Sequence, residues 1–423
     1  MRRFDIADVV KIPGLPKAYV DVAAIMIAIA TLQIAASLLN LTIPLALHQK
    51  GAGAIEAGMV LAGYTLGFAI GAMRAPKFLN RVGHIRTFAG FAALGAVATL
   101  MLDYGTQSLV WTVLRAITGF CAATLFTVGE SWISSQTEAH ERGRVMGAYQ
   151  VLNKSAQALG PMIGTATGGV ITAVATATAF FCSSLIPVCL TRVKEPPPPS
   201  GGALPLKGLW TLAPAAVAGV FTAGLVNSAG YSLAAIYVVD LGGTATWAAS
   251  MMFAAQMASL TVQWPAARLS DSIDRRLVIL GLNVLATAAG FGIMALGSET
   301  PGVWHIVAFA AWGGTSFSYY ALCVAHAADR AQGQDMGRVA GGLLFIWATG
   351  AVIGPIVGGA VMHLPMGPRA LYGYCGLCSG AYVVFMLSRV LIRRGARVRV
   401  DFAPAPPTTP VAAGPQGTDQ TNP

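Results

Sequence analysis

Three charged side chains fall inside stretches of sequence that are otherwise apolar. Arg115, Glu130 and Lys154 each lie between runs of Ala, Leu, Ile, Val and Gly. A charge within the hydrocarbon of a bilayer costs several kcal/mol, so it faces a protected interior or an aqueous path. A carboxylate held there can take up and release a proton near neutral pH, and two cations can attract a solute.

Arg115 and Glu130 fall on one predicted helix, about 22 Å apart but on nearly the same face. Glu130 is the first candidate for a proton carrier, and its alternative role is an inner gate with Arg142 or Arg144. Arg115 is a candidate for coupling or solute contact, and its alternative is a structural bond to a backbone carbonyl or to Asp103.

Lys154 lies near the middle of the next predicted helix and is a candidate cargo or coupling site. Its alternative role is an ion pair with Glu130. Polar side chains on this and other helices would complete an interior site: Gln33, Asn40, Asn153, Gln157, Asn227, Tyr231, Gln256 and His326. Gln and Asn side chains within a membrane also form hydrogen bonds between helices. For about half of these residues, the alternative is such a structural role without contact to the cargo. Asp329 is the second candidate for a proton carrier, but residues placed like His326 and Asp329, near the inner end of span ten, are more often gate residues than proton relays.

The elements that position these residues are predicted to be membrane-spanning helices. The chain has 423 residues, of which 55% are hydrophobic and only 10% charged, where a soluble chain has about a quarter charged. Because a helix needs about 20 residues to cross a bilayer, the apolar stretches predict twelve spans. They are 18–47, 54–73, 87–102, 108–135, 144–165, 168–190, 208–239, 245–267, 277–297, 302–327, 338–363 and 370–392.

The distribution of basic residues predicts the orientation of these spans. Of the 27 Lys and Arg residues, 23 fall in alternate loops and at the two termini. This asymmetry is typical of cytoplasmic loops, so both termini are expected inside and the net charge of +10 needs no nucleic acid. The first 17 residues lack the features of a signal peptide, and the tail from 400 to 423 is predicted to be disordered.

A repeat at an offset of 194 residues divides the chain into two similar halves. Gly143-Arg144-Val145-Met146-Gly147 returns as Gly337-Arg338-Val339-Ala340-Gly341, and the pair Gly160-Pro161 returns as Gly354-Pro355. Seven positions in the 22-residue window are identical, which indicates a duplicated unit. The glycines and prolines predict helix bends and close helix packing.

Two loops carry a related pattern of charged residues. The loop after span eight has Asp271, Asp274, Arg275 and Arg276, and the loop after span two has Asn80, Arg81, Gly83 and Arg86. Both resemble the signature loop of the major facilitator superfamily, although in the loop after span two Asn80 stands in place of the Asp. The resemblance implies gating ion pairs at both loops, weaker in the first half.

Other segments are similar to the same superfamily. Arg115 and Gly119 look like its Arg-x-x-x-Gly signature on span four, and Gly160-Pro161 is similar to a motif of many proton-driven exporters. The run 129–133 and the run 323–330 are similar to a bacterial branch whose transporters have unknown substrates.

The resemblance implies an all-α membrane protein with twelve transmembrane helices in two pseudo-symmetric six-helix bundles. The expected organisation is an N-terminal segment 1–17, a bundle 18–190, a linker 191–207, a bundle 208–399 and a tail 400–423. The implied function is secondary active transport of a small molecule by alternating access in the bacterial cytoplasmic (inner) membrane, by a monomer.

Proton-coupled export of an amphipathic or cationic compound is the first expectation, because of the Gly-Pro motif. Proton-coupled uptake of a sugar, nucleoside or organic anion is the alternative, and a non-transporting membrane sensor is a minor one. No nucleotide-binding motif of the GxxxxGK[ST] type occurs, so protons are expected to supply the energy. Neither an enzymatic activity nor a cofactor or metal is expected, since the six His residues are scattered singly.

Overall fold

The computed structural model describes residues 17–104, 107–190, 206–296, 300–331 and 336–392, and these residues form α-helices joined by short turns. The N-terminal segment, the residues 191–205 of the linker and the tail lie outside the described residues. Helices of the first half are α1 (Lys17–Gln49), α2 (Ala54–Val82), α3 (His84–Leu100), α4 (Ser108–Gln136), α5 (Ala139–Ala166), α6 (Val170–Ser183) and α7 (Leu185–Leu190).

The second half repeats this arrangement with more interruptions. Its helices are α8 (Leu206–Leu212), α9 (Pro214–Ser232), α10 (Ala234–Asp240), α11 (Ala245–Ser272), α12 (Arg275–Leu296), α13 (Val303–Ser316), α14 (Tyr319–Ala328), α15 (Met336–Val361) and α16 (Ala370–Ile392). A short 3₁₀ turn, Gly367–Arg369, precedes α16.

Several predicted spans end or break at places that hydropathy did not indicate. Predicted loop 74–86 is almost entirely helical, because α2 continues to Val82 and α3 begins at His84. Gly83 alone separates them, with a φ of 85° that glycine adopts without strain. Predicted spans six, seven and ten are each interrupted, and α9 and α10 meet at an angle of 45°.

Among the described residues, seven helices are long and apolar enough to cross a membrane, or eight if α9 and α10 form one span. The α3 helix has 17 residues, and predicted span ten is divided between α13 and α14. The polar residues of α5 lower its average hydropathy. The full number of twelve spans therefore stays a prediction.

Helix pairing repeats between the halves, as the sequence duplication predicts. In the first half α1 packs on α5 and α2 on α4, and in the second half the corresponding α9 packs on α15 and α11 on α13. Two further pairs join the halves, α2 with α15 and α5 with α11. Because α2 corresponds to α11 and α5 corresponds to α15, the duplication converts each of these pairs into the other. This pattern is that of two copies related by a pseudo-two-fold axis.

Candidate functional site

Lys154 lies where α5 of the first half meets α11 of the second. Its Nζ donates a hydrogen bond of 3.2 Å to the Ser259 hydroxyl on α11 and lies 5.6 Å from the centre of the Phe317 ring. Ser259 in turn donates to the Gln256 carbonyl oxygen at 2.8 Å. In the described part of the chain the ammonium forms no ion pair within 4.0 Å, so the alternative pairing with Glu130 is not observed.

Arg115 is buried between α4, α1 and α2, with only 1% of its surface exposed. Its Nη2 donates to the Asn40 amide oxygen at 3.0 Å, and its guanidinium carbon lies 4.1 Å from the centre of the Tyr64 ring. Neither Nε nor Nη1 has a hydrogen-bond partner among the described residues. Both groups around this cation are neutral, and the predicted alternative partner Asp103 is not among its contacts.

Glu130 is the one carboxylate among the described residues whose side chain is fully buried. The Tyr149 hydroxyl of α5 donates a hydrogen bond of 3.3 Å to its Oε1.

The three charged residues occupy different depths along the predicted membrane normal. Counted from the outer end of its own helix, Arg115 lies about 10 Å deep, Lys154 about 18 Å and Glu130 about 33 Å. Along the predicted membrane normal, both cations therefore lie nearer the outer end than the carboxylate does.

The other predicted cavity residues differ in burial and in contacts. Asn153, Tyr231 and Gln256 are nearly fully buried, and the Gln256 carbonyl oxygen accepts from Ser259, the partner of Lys154. Gln33 and Gln157 are half-buried. Asn227 joins α9 to α13, because its amide donates to the Ser316 carbonyl oxygen at 3.1 Å and its oxygen accepts from the Ser316 hydroxyl.

The predicted gating loop of the second half forms a network of ion pairs. Arg275 Nε donates to Asp329 Oδ2 at 2.9 Å, and Arg275 Nη2 lies 3.7 Å from Asp271 Oδ1. Arg276 Nη2 pairs with Asp274 Oδ2 at 2.6 Å. Partial burial raises the pKa of Asp274, but the hydrogen bonds and charge of Arg276 outweigh it, so this pKa lies below its usual value.

Asp329, the second candidate for a proton carrier, belongs to this network. It pairs with Arg275 at 2.9 Å, which favours a gate role for it. His326, a candidate for the cavity or the gate, is buried, and its Nε2 has no hydrogen-bond partner among the described residues. The first-half loop differs, since Asn80, Arg81 and Arg86 around Gly83 are all exposed.

The outer ends of the halves are in close contact. His48 Nε2 at the end of α1 lies 3.6 Å from Asp240 Oδ1 at the end of α10. A Cβ on Gly359 of α15 would meet the Ala54 backbone of α2, and one on Gly58 would meet Pro355. The halves are thus closed to one another on the face predicted to be outside.

The two Gly-Pro pairs lie within continuous helices and pack in equivalent ways. A Cβ on Gly160 would lie 2.7 Å from the Ile34 carbonyl oxygen of α1. A Cβ on Gly354 would likewise overlap α9 at Leu225, with the Ser228 hydroxyl 2.7 Å away. Close approach of α5 to α1 and of α15 to α9 is therefore the observed role of both glycines.

Sequence reasoning did not single out several side chains that contact the charged residues. These partners are Tyr64, Tyr149, Ser259 and Phe317, with His48 and Asp240 at the outer face. No group of three His, Cys, Asp or Glu able to hold a metal ion occurs in the described ranges.

Comparison with known proteins identifies the family. The sequence profile of the Major Facilitator Superfamily matches residues 25–355. The uncharacterized MFS-type transporter YcaD of Salmonella newport (strain SL254) is 22% identical over 345 residues, which cover 81% of this chain and 89% of that protein. YcaD of Salmonella arizonae is 23% identical, over 79% of this chain and 87% of that protein.

Solved structures share the fold. A bacterial homologue of the human lysosomal transporter Spinster aligns with a TM-score of 0.68 and 12% identity over 88% of this chain and 95% of that one. The nucleoside transporter NupG aligns with a TM-score of 0.67 and 10% identity over 87% and 99%. The E. coli fucose:proton symporter FucP aligns with a TM-score of 0.57 and 14% identity over 88% and 99%. With its helical duplication and a profile match over most of its length, the chain belongs to the Major Facilitator Superfamily and is a membrane transporter.

Proposed function

We propose that the chain carries a small organic anion together with a proton, with Lys154 binding the anion and Glu130 the proton. The observation that carries this proposal is the setting of Lys154. Its ammonium lies at a contact between the two halves and donates to a neutral hydroxyl at 3.2 Å. A cation at this depth is stabilised by an opposite charge, and a bound anion would supply it.

The electrostatics around Arg115 support an anionic cargo. This second cation is also held by neutral groups, the Asn40 amide and the Tyr64 ring. Two positive charges along one predicted path attract an anion and repel a cation. We therefore prefer the organic anion to the cationic compound that the Gly-Pro motif first suggested.

The packing of Gly160 weakens the sequence argument for export. Gly354 makes the equivalent close approach in the second half, so packing accounts for both copies of the motif without any coupling role. Symport is the mechanism we favour, because an anion and a proton that cross together carry no net charge through the low-dielectric interior. With a proton gradient directed inward, symport gives uptake.

In the proposed cycle, the cargo and the proton bind while the outer face is open. The halves then close at the contacts of α1 with α10 and of α2 with α15, and they separate at the inner face. The asymmetry of basic residues supports a cytoplasmic membrane location with both termini inside.

The test uses purified protein in vesicles that contain a trapped pH dye. Carboxylates, sugars, nucleosides and lipophilic cations are added outside one at a time. We expect only carboxylates to acidify the lumen. Glu130→Gln should abolish the proton signal while the protein still folds, and Glu138→Gln at an exposed position should not.

Two results would contradict this proposal. Lipophilic cations that move protons in the opposite direction would establish antiport of a cation. A well-folded Glu130→Gln protein with normal coupling would remove Glu130 from the mechanism.

A further inference from the structure

The surroundings of Lys154 contain a wall of aromatic rings at an interrupted helix. Phe317 lies between α13 and α14, where the helix of span ten is broken, and its side chain is only half-buried. Tyr231 of α9 packs against the Phe317 ring at 5.7 Å between centres and an interplanar angle of 77°. Trp312 of α13 packs against it at 5.4 Å and 74°.

Both contacts are edge-to-face, so they leave part of the Phe317 ring without an aromatic neighbour stacked on it. Interrupted helices in membrane transporters occur where the backbone is buried in protein or lines a cavity. A half-buried ring at such a break is a surface on which a flat apolar group can pack. Stacked or edge-on contacts between rings stabilise beyond the area they bury.

The ammonium of Lys154 lies at the margin of this wall. Its distance of 5.6 Å from the Phe317 centre is close to the limit of about 6 Å at which a cation still interacts with a ring. The ring is therefore a weak partner for the charge. Lysine can donate three hydrogen bonds, and in the described part of the chain Lys154 donates one, to Ser259.

Buried polar atoms lie in and beside the wall. Gln256 Oε1, Asn153 Oδ1, the Tyr231 hydroxyl and Trp312 Nε1 have no hydrogen-bond partner among the described residues. One charge next to three rings suits a molecule with one charged end and a flat body, which a few hydrogen bonds can orient.

We propose that the cargo is an aromatic monocarboxylate whose carboxylate binds Lys154 in place of Ser259 and whose ring packs on Phe317 and Tyr231. This inference rests on the proposed function, since it names the class of organic anion. Arg115 would attract the anion from a shallower level, where it already contacts Asn40 and Tyr64.

Binding to the purified full-length protein tests this class without depending on transport. Benzoate, cyclohexanecarboxylate, acetate and benzamide are compared by their effect on intrinsic tryptophan fluorescence and on Tm. Benzoate has a flat ring and a carboxylate, and cyclohexanecarboxylate has a similar apolar volume without a flat ring. Acetate has the carboxylate alone, and benzamide has the ring without the charge. We expect benzoate to bind about tenfold or more tightly than acetate, and benzamide to bind weakly.

Two variants measure separately what the aromatic ring and the charge contribute to affinity. Phe317→Leu keeps apolar volume, and it should lower benzoate affinity about five- to tenfold and leave acetate affinity unchanged. Lys154→Met should weaken both carboxylates. Thermal unfolding of each variant without ligand verifies that it is folded.

The outcomes distinguish the two proposals. If carboxylates bind in a Lys154-dependent way but benzoate and acetate bind equally, or if Phe317→Leu leaves their ratio unchanged, the aromatic class is wrong and the proposed function stands. If none of the carboxylates binds, both proposals are overturned. Preferential binding of benzoate that Phe317→Leu removes supports the inference.

Discussion

Replacing Gly160 by alanine tests whether the Gly-Pro motif serves packing. The new Cβ would overlap the Ser37 hydroxyl and lie 2.7 Å from both the Ile34 carbonyl oxygen and the Leu38 amide nitrogen of α1, where ordinary contacts are 3.4–4 Å. Even after the Ser37 side chain rotates away, the helices α5 and α1 must separate by about 0.7 Å. Overpacking of this kind costs about 1–3 kcal/mol of unfolding free energy.

Gly147 supplies a matched control on the same helix, because a Cβ there meets nothing within 4 Å. Gly147→Ala should be neutral or stabilise by up to about 1 kcal/mol through helix propensity. A change of 1 kcal/mol shifts Tm by about 2–4 °C in a unit of 150–250 residues. The two variants thus differ by about 1–4 kcal/mol, and we expect Gly160→Ala to unfold about 2–16 °C below Gly147→Ala.

The assay is thermal unfolding of both variants in the same detergent, with transport of a carboxylate measured at a temperature where both are folded. Equal Tm values would refute the packing argument. Loss of proton coupling in a Gly160→Ala protein of undiminished Tm would restore the coupling role of the motif.

Three further perturbations test other contacts. Tyr64→Leu should lower Tm by removing the ring over Arg115, a contact of about 0.5–2 kcal/mol, and Tyr64→Phe should not. Asp240→Asn should loosen the outer closure and speed labelling of a Gly53→Cys reporter by a membrane-impermeant thiol reagent up to about fivefold; unchanged labelling would contradict that closure. The lowered pKa of Asp274 means that its contact stabilises the fold at neutral pH and is lost as pH falls below about 4. The Tm of the wild type should therefore be higher than that of Asp274→Asn at about pH 7, and the difference should disappear in acid. The same difference in Tm at both pH values would contradict this prediction.

Hydropathy and the repeat were sufficient to predict the helical membrane fold, because burial in lipid requires long apolar helices whatever the tertiary contacts are. The interruptions at Leu233 and Phe317 were not predicted. No proline lies at either break, and the small residues before Phe317 are common throughout these helices. Residues 74–86 were predicted to form a loop because their charged side chains were expected to end the helix. A helix can continue into water beyond the membrane, as α2 does.

The charged site residues were predicted because a charge in an apolar helix is conspicuous in the sequence. Their partners were not, since each lies on a different helix. Ser259 is 105 positions from Lys154 and Tyr149 is 19 from Glu130. Which helix faces which depends on packing across the whole chain, and a single sequence does not contain that information in a readable form.

The most direct test of the central claim is proton movement driven by a carboxylate gradient in vesicles that contain Lys154→Met protein. Lys77→Met, at an exposed position near the inner end of α2, is the matched control. A hydrogen bond to a charged group contributes about 1.5–3 kcal/mol, or about 10- to 150-fold in affinity. We predict that Lys154→Met raises the carboxylate concentration for half-maximal proton uptake by that factor and that Lys77→Met leaves it unchanged. An unchanged half-maximal concentration in well-folded Lys154→Met protein would contradict the account.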